Sequence, residues 1–353
     1  MTEERVPGIA AEFDDRAGPG NPGPPGIFPH SVASDRTAGL VMPGPVVLDE
    51  STAGLGAGFD EYGLDGGVSR GQVATVVRRF LRDPMAMIGL VTFLLLLIGS
   101  IVVGEFWHYS YVSITNTLNA PPSWAHPFGT NSIGGDMFAQ VMKGTLQDIE
   151  ISLLVAVMAV VLGVAVGAPA GFYGGKVDSA LMRFVDLILV IPVLVVLIVL
   201  ANIVAKETNN WFWLAIIIGA LSWTYIARLV RADFLTLRER DFIEASRALG
   251  ASDRRLILRH MLPNAIGPII VNATITVAAA IVLESTLSFL GLGIQPPNVS
   301  LGLLISNGQD SGTTEWWLLV IPVIFLLVLI LAVFFIGDGL QRALDPKKNR
   351  VRA

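Results

Sequence analysis

The residues able to do covalent or metal chemistry are few and poorly spaced for it. The chain has no cysteine, which removes disulfides, thiolate zinc sites, iron–sulfur clusters and thiol nucleophiles. Its histidines, His30, His108, His126 and His260, are far apart, and no pair has the spacing of metal ligands. No metal site and no catalytic residue is expected. The nearest approach to a phosphate-binding loop is Ala170–Val177. Ala170 stands where the first glycine belongs and Val177 where a hydroxyl would meet magnesium, so Gly175 and Lys176 lack a complete cradle. Intramembrane proteolysis fares no better. No apolar stretch contains a histidine to serve a serine, and Phe335 precedes Ile336-Gly337-Asp338 where an aspartyl site wants glycine.

The densest polar cluster suits binding instead. Residues 241–264 hold Asp241, Glu244, Arg247, Asp253, Arg254, Arg255 and Arg259 in a chain only 15% charged. Residues 239–249 read as a short helix, with Phe242, Ala245 and Leu249 at helical spacing and Glu244 and Arg247 as an i, i+3 pair. Gly250 falls where a left-handed C-terminal residue belongs, Ser252 can cap a second helix through 253–262, and Pro263 ends the pattern. Small residues, Ala245, Ser246, Ala248, Gly250 and Ala251, crowd the turn and leave room for another protein's backbone. A docking element and an ordinary solvated charged loop both fit these residues.

What must position this patch is membrane-spanning. The chain is 53% apolar, with candidate spans at 85–103, 151–171, 184–204, 211–230, 265–287 and 316–336. Lys and Arg alternate between the connecting segments. Eighteen lie in 70–84, 172–183, 231–264 and 337–353, against Lys143 and Lys206 in the other set. This predicts six spans with both termini and the 241–263 patch in the cytoplasm. Trp211, Trp213, Trp316 and Trp317 open two spans at the outer interface, where indoles sit well.

Outside the spans, residues 1–69 carry 11 acids, 3 bases, 13 Gly and 8 Pro, the composition of a disordered cytoplasmic tail. The first apolar run begins near Met85, so no cleavable signal peptide is expected. Gln72–Arg82 sets Val73, Val76, Val77, Phe80 and Leu81 against Arg78, Arg79 and Arg82. That pattern reads either as an interfacial helix over 70–84 or as an extension of the first span. Loop 104–150 is long and external, with His126 as a turn residue. Within the spans, Glu284, Asn272 and Thr276 are candidates for a translocation path, a structural hydrogen bond being the alternative for Glu284. Asp186 lies one turn from Arg183, and Pro192 and Pro268 are candidate kinks.

Glu244-Ala245-Ser246, three residues, Gly250, nine residues and His260-Met261-Leu262-Pro263 resemble the EAA motif of ABC-importer permease subunits. Ser246 replaces the second alanine of that motif and His260 its isoleucine. His126-Pro127-Phe128-Gly129-Thr130, Ser288-Phe289-Leu290-Gly291-Leu292-Gly293 with Gln295-Pro296-Pro297, and Gly337-Asp338-Gly339-Leu340 with Ala343-Leu344-Asp345-Pro346 are similar to the C-type subunit of dipeptide, oligopeptide and nickel permeases. Asn131 and Gly135 depart from that signature. The likeness runs from about residue 74 to 348.

The resemblance implies an all-α, type I ABC importer (MetI-like) permease fold over 85–348, in a bacterial cytoplasmic membrane. It implies coupling helices at 241–263, with Glu244, Ala245, Ser246, Arg247, Gly250, Ala251, Arg254, His260 and Pro263 meeting an ATPase. The implied partners are a homologous B-type permease, two ATP-binding subunits, an extracytoplasmic substrate-binding protein and membrane lipid, with no nucleic acid. ATP and Mg would sit on the ATPases, with no cofactor on this chain. Di- or oligopeptides are the implied substrates, with nickel or glutathione as alternatives. A stand-alone secondary transporter is the competing class; it would not need the cytoplasmic helix pair, and no internal repeat is evident.

Overall fold

The computed structural model describes residues 70–208, 210–311 and 314–344; the acidic tail 1–69 and the pair Asp345-Pro346 lie outside them. The described chain is helical. In order it has α1 (Arg70–Arg82), α2 (Pro84–Phe106), α3 (Met137–Tyr173), α4 (Gly175–Val190), α5 (Val193–Thr208), α6 (Trp211–Arg238), α7 (Asp241–Ala248), α8 (Asp253–Arg255), α9 (Leu262–Phe289), α10 (Leu301–Gly308) and α11 (Trp317–Leu344).

Helices α3 and α6 pack in parallel through glycines. A Cβ on Gly163 would lie 2.6 Å from Ile226 Cγ2, one on Gly167 2.4 Å from the Ala227 carbonyl oxygen, and one on Gly171 2.5 Å from Phe234 Cβ. One face of α3 therefore repeats a small residue every fourth position, the pattern that lets helix backbones close up in a membrane. Because Met158 faces Gly219 at the other end, Trp211 lies level with about residue 150 of α3. The chain between Tyr173 and Trp211 must return that distance, ~35 Å at 1.5 Å per residue, more than the ~30 Å hydrocarbon core. The return is made by α4 and α5, which meet at a 77° bend where Pro192 breaks the ladder. Five helices are long and apolar enough to span alone, and the bent pair supplies the sixth crossing.

The remaining helices fix the ends. Gly339 closes on Ala86 and Gly337 on Thr274, while Gly267 meets Leu344, so α11 is antiparallel to both α2 and α9. One end of the bundle thus gathers α1, the C-terminal ends of α3, α6 and α11, and the start of α9. Both described chain ends lie there. Ion pairs stitch that end together. Arg231 bonds Asp178 through both carboxylate oxygens, and Arg228 bonds Asp186 at 2.5 Å. Asp186 thereby pairs across helices with Arg228 rather than with its own neighbour Arg183.

Several boundaries differ from the periodicity. Asp83 is extended, and its carboxylate accepts from the Met85 and Ala86 amides; with Pro84 at the first turn, α2 starts afresh and α1 is a separate helix. Asp83 also takes Arg342 Nε at 2.7 Å, and this hydrogen bond above all holds its carboxyl below the ordinary carboxylate range. Helix α3 starts at Met137, well inside the expected loop 104–150. Asp136 caps it through the Ala139 amide at 2.8 Å, and His126 Nδ1 lies 2.7 Å from the other Asp136 oxygen. His126 is a turn residue, its carbonyl accepting from the Gly129 amide at 2.9 Å, and its buried ring also braces the helix cap. Gln147 and Asp148, which read as loop, are buried inside the helical bundle. Helix α9 runs unbroken through Pro268, and α10 packs beside α11 with Gly308 against Leu318.

The glycine contact is testable. Gly167→Leu would drive a side chain into the α6 backbone, an overpacking cost of about 1–3 kcal/mol or more. Thermal unfolding in detergent should shift to lower temperature, whereas Gly104→Leu, where a Cβ meets nothing within 4 Å, should leave it unchanged.

Candidate functional site: a two-helix hairpin at the end of the bundle

The hairpin grows directly from α6. Arg238 Nη1 donates to the Phe172 carbonyl at 3.4 Å, tying the C-terminal ends of α6 and α3. The chain turns at Glu239–Arg240, and α7 begins with Asp241 and Glu244 in its first turn and Arg247 in its last, charges that complement the helix dipole. Its end is a Schellman turn. The Ala251 amide reaches back to the Ser246 carbonyl at 3.1 Å, and the Gly250 amide to the Arg247 carbonyl at 2.9 Å. Gly250 holds φ +82°, and nothing within 4 Å would meet a Cβ there. Glycine is required by the backbone, and the space beside it is open on this chain.

The second arm differs from a simple capped helix ended by proline. Ser252 occupies the N-cap position, and its carbonyl accepts from the Leu256 amide at 2.9 Å, but its hydroxyl makes no capping bond. After α8 the chain widens into a π-helical stretch, Leu256–Met261, and passes into α9 without a break. Pro263 therefore does not end the helix. It sits in the first turn of α9, where the Leu262 amide already bonds five residues back to Ile257 and a missing N–H costs little.

The hairpin has two unlike sides. Ile243, Leu256 and Met261 are fully buried against Ala168, Phe172, Phe234, Ala265 and Ile269, so the arms are seated on the ends of α3, α6 and α9. Of the residues at helical spacing, Phe242 packs against this core, whereas Ala245 is exposed and Leu249 is 89% exposed. Glu244, Arg247, Gly250 and Arg254 also face outward, while Ser246, Ala251, His260 and Pro263 are half-buried. Glu244 and Arg247 do not pair: the Arg247 guanidinium lies over the Phe172 ring, 5.9 Å from its centroid. Ser246 Oγ donates to the Phe242 carbonyl at 2.7 Å, and Asn264 Nδ2 to the His260 carbonyl at 2.5 Å. The anchors Ile243, Leu256 and Met261 were missed in the sequence, where they are three apolar residues among many. The exposed Leu249 and Leu258 mark the outer side as unfinished in the isolated chain.

The intramembrane candidates separate. Glu284 is fully buried, accepts from Ser288 Oγ at 2.6 Å, and lies against Asp148 of α3. Ser288 Oγ in turn accepts from the Ile294 amide at 2.9 Å. This is an internal knot between α3, α9 and the segment after it. Asn272 and Thr276 lie elsewhere on α9, half-buried, and each bonds a carbonyl of its own helix, Pro268 at 3.1 Å and Asn272 at 2.9 Å.

Residues 159–350, which include the hairpin, match the family of binding-protein-dependent transport system inner membrane components. Residues 71–122 match the N-terminal transmembrane domain of oligopeptide transport permease C. The chain belongs to this permease family. It is 40% identical over 278 residues to the oligopeptide transport system permease protein OppC of Mycobacterium tuberculosis (strain ATCC 25618 / H37Rv), covering 78% of this chain and 95% of that protein. The OppC of Bacillus subtilis (strain 168) is 38% identical over 274 residues, covering 77% and 88%. A putative peptide permease of Brucella suis biovar 1 (strain 1330) is 40% identical over 287 residues, covering 79% and 92%. Among solved structures, the inward-facing MetNI methionine ABC transporter is similar at 20% identity and a TM-score of 0.49, over 59% of this chain and 98% of that one; so loose a likeness adds nothing to the assignment. The chain is thus a multi-pass inner-membrane permease subunit of an ABC transporter, non-catalytic itself and working with an ATPase and a binding protein.

The anchoring of the hairpin can be checked directly. Ile243→Ala should remove about 2–5 kcal/mol of packing and loosen the arm while the spans stay inserted. Limited trypsin cleavage after Arg247, Arg254 and Arg255 should speed up. An unchanged cleavage rate would mean that Ile243 does not hold the hairpin.

Proposed function

We propose that this chain is the C-type permease of an oligopeptide importer. It forms half of the translocation path beside a homologous B-type permease. Two ATPase subunits carry ATP and Mg, and a substrate-binding protein delivers peptide from the opposite side. The substrate class is drawn from the named relatives, three of which are oligopeptide or peptide permeases. Nickel or glutathione would use the same machinery. The 241–263 hairpin receives the ATPase, and the observation that carries this is its two-sidedness. Its inner side is welded to three spans through Ile243, Leu256 and Met261, while Leu249 and the turn at Gly250 stand bare.

The lopsided distribution of Lys and Arg supports a cytoplasmic hairpin with both termini on the same side. Closure of the ATPases would then move the hairpin and the ends of α3, α6 and α9 as one body, because the contact between them is a packed core. Asn272 and Thr276 are proposed to line the path. Glu284 is proposed to hold α9 to α3 instead.

In the assembled complex, Gly250→Val places a branched side chain in a left-handed conformation that costs about 1–2 kcal/mol and fills the open turn. Leu249→Glu puts a charge where the partner would sit, with nothing lost in the isolated subunit. Both should insert normally, and both should depress transport-linked ATPase activity about tenfold or more, the scale of 1.4 kcal/mol. Normal stimulation in both variants would refute docking at this turn.

A further inference from the structure

Helix α1 is an exposed amphipathic element with no use in the coupling scheme. It carries Arg78, Arg79 and Arg82 and no acidic residue. Turning the helix ~100° per residue divides its surface into three strips. Val76 and Phe80 are half-buried, with Phe80 beside Gly339 of α11. Next come Val77 and Leu81, 49% and 53% exposed. Beyond them are the arginines, all exposed.

Exposed apolar residues resume directly after Asp83. Met85, Ile88 and Leu95 of α2 are 50%, 53% and 68% exposed, and α2 is a membrane span. Val77 and Leu81 thus stand exposed immediately before a span whose own surface meets acyl chains, with guanidinium groups beside them near headgroup height. The junction is held firmly. Asp83 caps α2 and at once accepts from Arg342 Nε and Nη2 at 2.7 and 3.2 Å, while Arg342 also bonds Asp338.

We propose that α1 docks onto the anionic lipid leaflet on the hairpin side of the bundle. Val77 and Leu81 enter the acyl boundary, and Arg78, Arg79 and Arg82 bind phosphate headgroups. Lipid is the occupant because the helix bearing the exposed strip ends one residue ahead of a lipid-facing span and its flank is basic, where a negatively charged surface is attracted. Through the Asp83–Arg342 clasp the docked helix fixes the α2–α11 corner, and the start of α9 meets α11 there through Gly267 and Leu344.

The test uses the full chain, which has no native cysteine, in nanodiscs. A nitroxide is placed on Leu81→Cys and its accessibility to oxygen compared with that to a water-soluble nickel chelate. In discs of phosphatidylcholine mixed with phosphatidylglycerol the label should favour oxygen. It should turn aqueous when the discs are phosphatidylcholine alone, and in the mixed discs when Arg78→Gln, Arg79→Gln and Arg82→Gln are combined. An aqueous label in both lipids would overturn the proposal. So would equal depth in both, since the arginines would then be reading no headgroup. A label shielded from both reagents would show a protein partner instead. Entry into lipid only after deletion of residues 2–68 would show that the acidic tail covers the basic face.

Discussion

The parallel contact between α3 and α6 is the constraint from which the rest of the architecture follows. Two adjacent parallel spans require a third crossing between them, and the chain supplies it with α4 and α5 despite the proline at their junction. The same contact brings Tyr173 and Arg238 to one level, so that Phe172 and Phe234 form a shared platform. Glycines at 163, 167 and 171 set the backbone separation. Any larger side chain would widen the platform on which the hairpin sits.

That platform explains how a short, charged segment is held in one place. Short helices are marginal alone in water, and α7 has only eight residues. Its order comes from Ile243 in the shared core, from the dipole-matched charges and from the Schellman turn at Gly250. The π-helical stretch keeps the second arm continuous with α9, so a push on the turn has no flexible joint in which to be lost. The bonds of Glu284 and Ser288 tie α9 to the segment after it at the far end of the bundle, and the Asp83–Arg342 clasp ties α2 to α11 at the near end.

Much of this was legible in the residues. The apolar runs, the Lys and Arg alternation, the left-handed Gly250 and the EAA-like spacing all report local requirements, and local requirements leave local signals. Pro192 marked the bend in the third crossing for the same reason. What was not legible depends on tertiary partners. Asp148 and Gln147 read as loop because a polar residue in a helix is recognised only once its buried partners are known. Asp186 chose Arg228 over Arg183, a choice made by the approach of α4 to α6. The helical spacing of Phe242, Ala245 and Leu249 did not single out Ile243, which is the fully buried residue of α7. Pro263 looked like a helix end, and the wide π turn before it absorbed the proline.

The central claim is that Leu249 and the turn beside it lie against an ATPase subunit in the working complex. A single Leu249→Cys, paired with a short bismaleimide in the assembled transporter, tests it most directly. Docking predicts a cross-link between this chain and the ATPase, one that a control at the distant Ser110→Cys on the opposite end of the bundle does not give. A Leu249→Cys thiol that forms no cross-link and reacts as freely with maleimide in the complex as in the isolated subunit would contradict it.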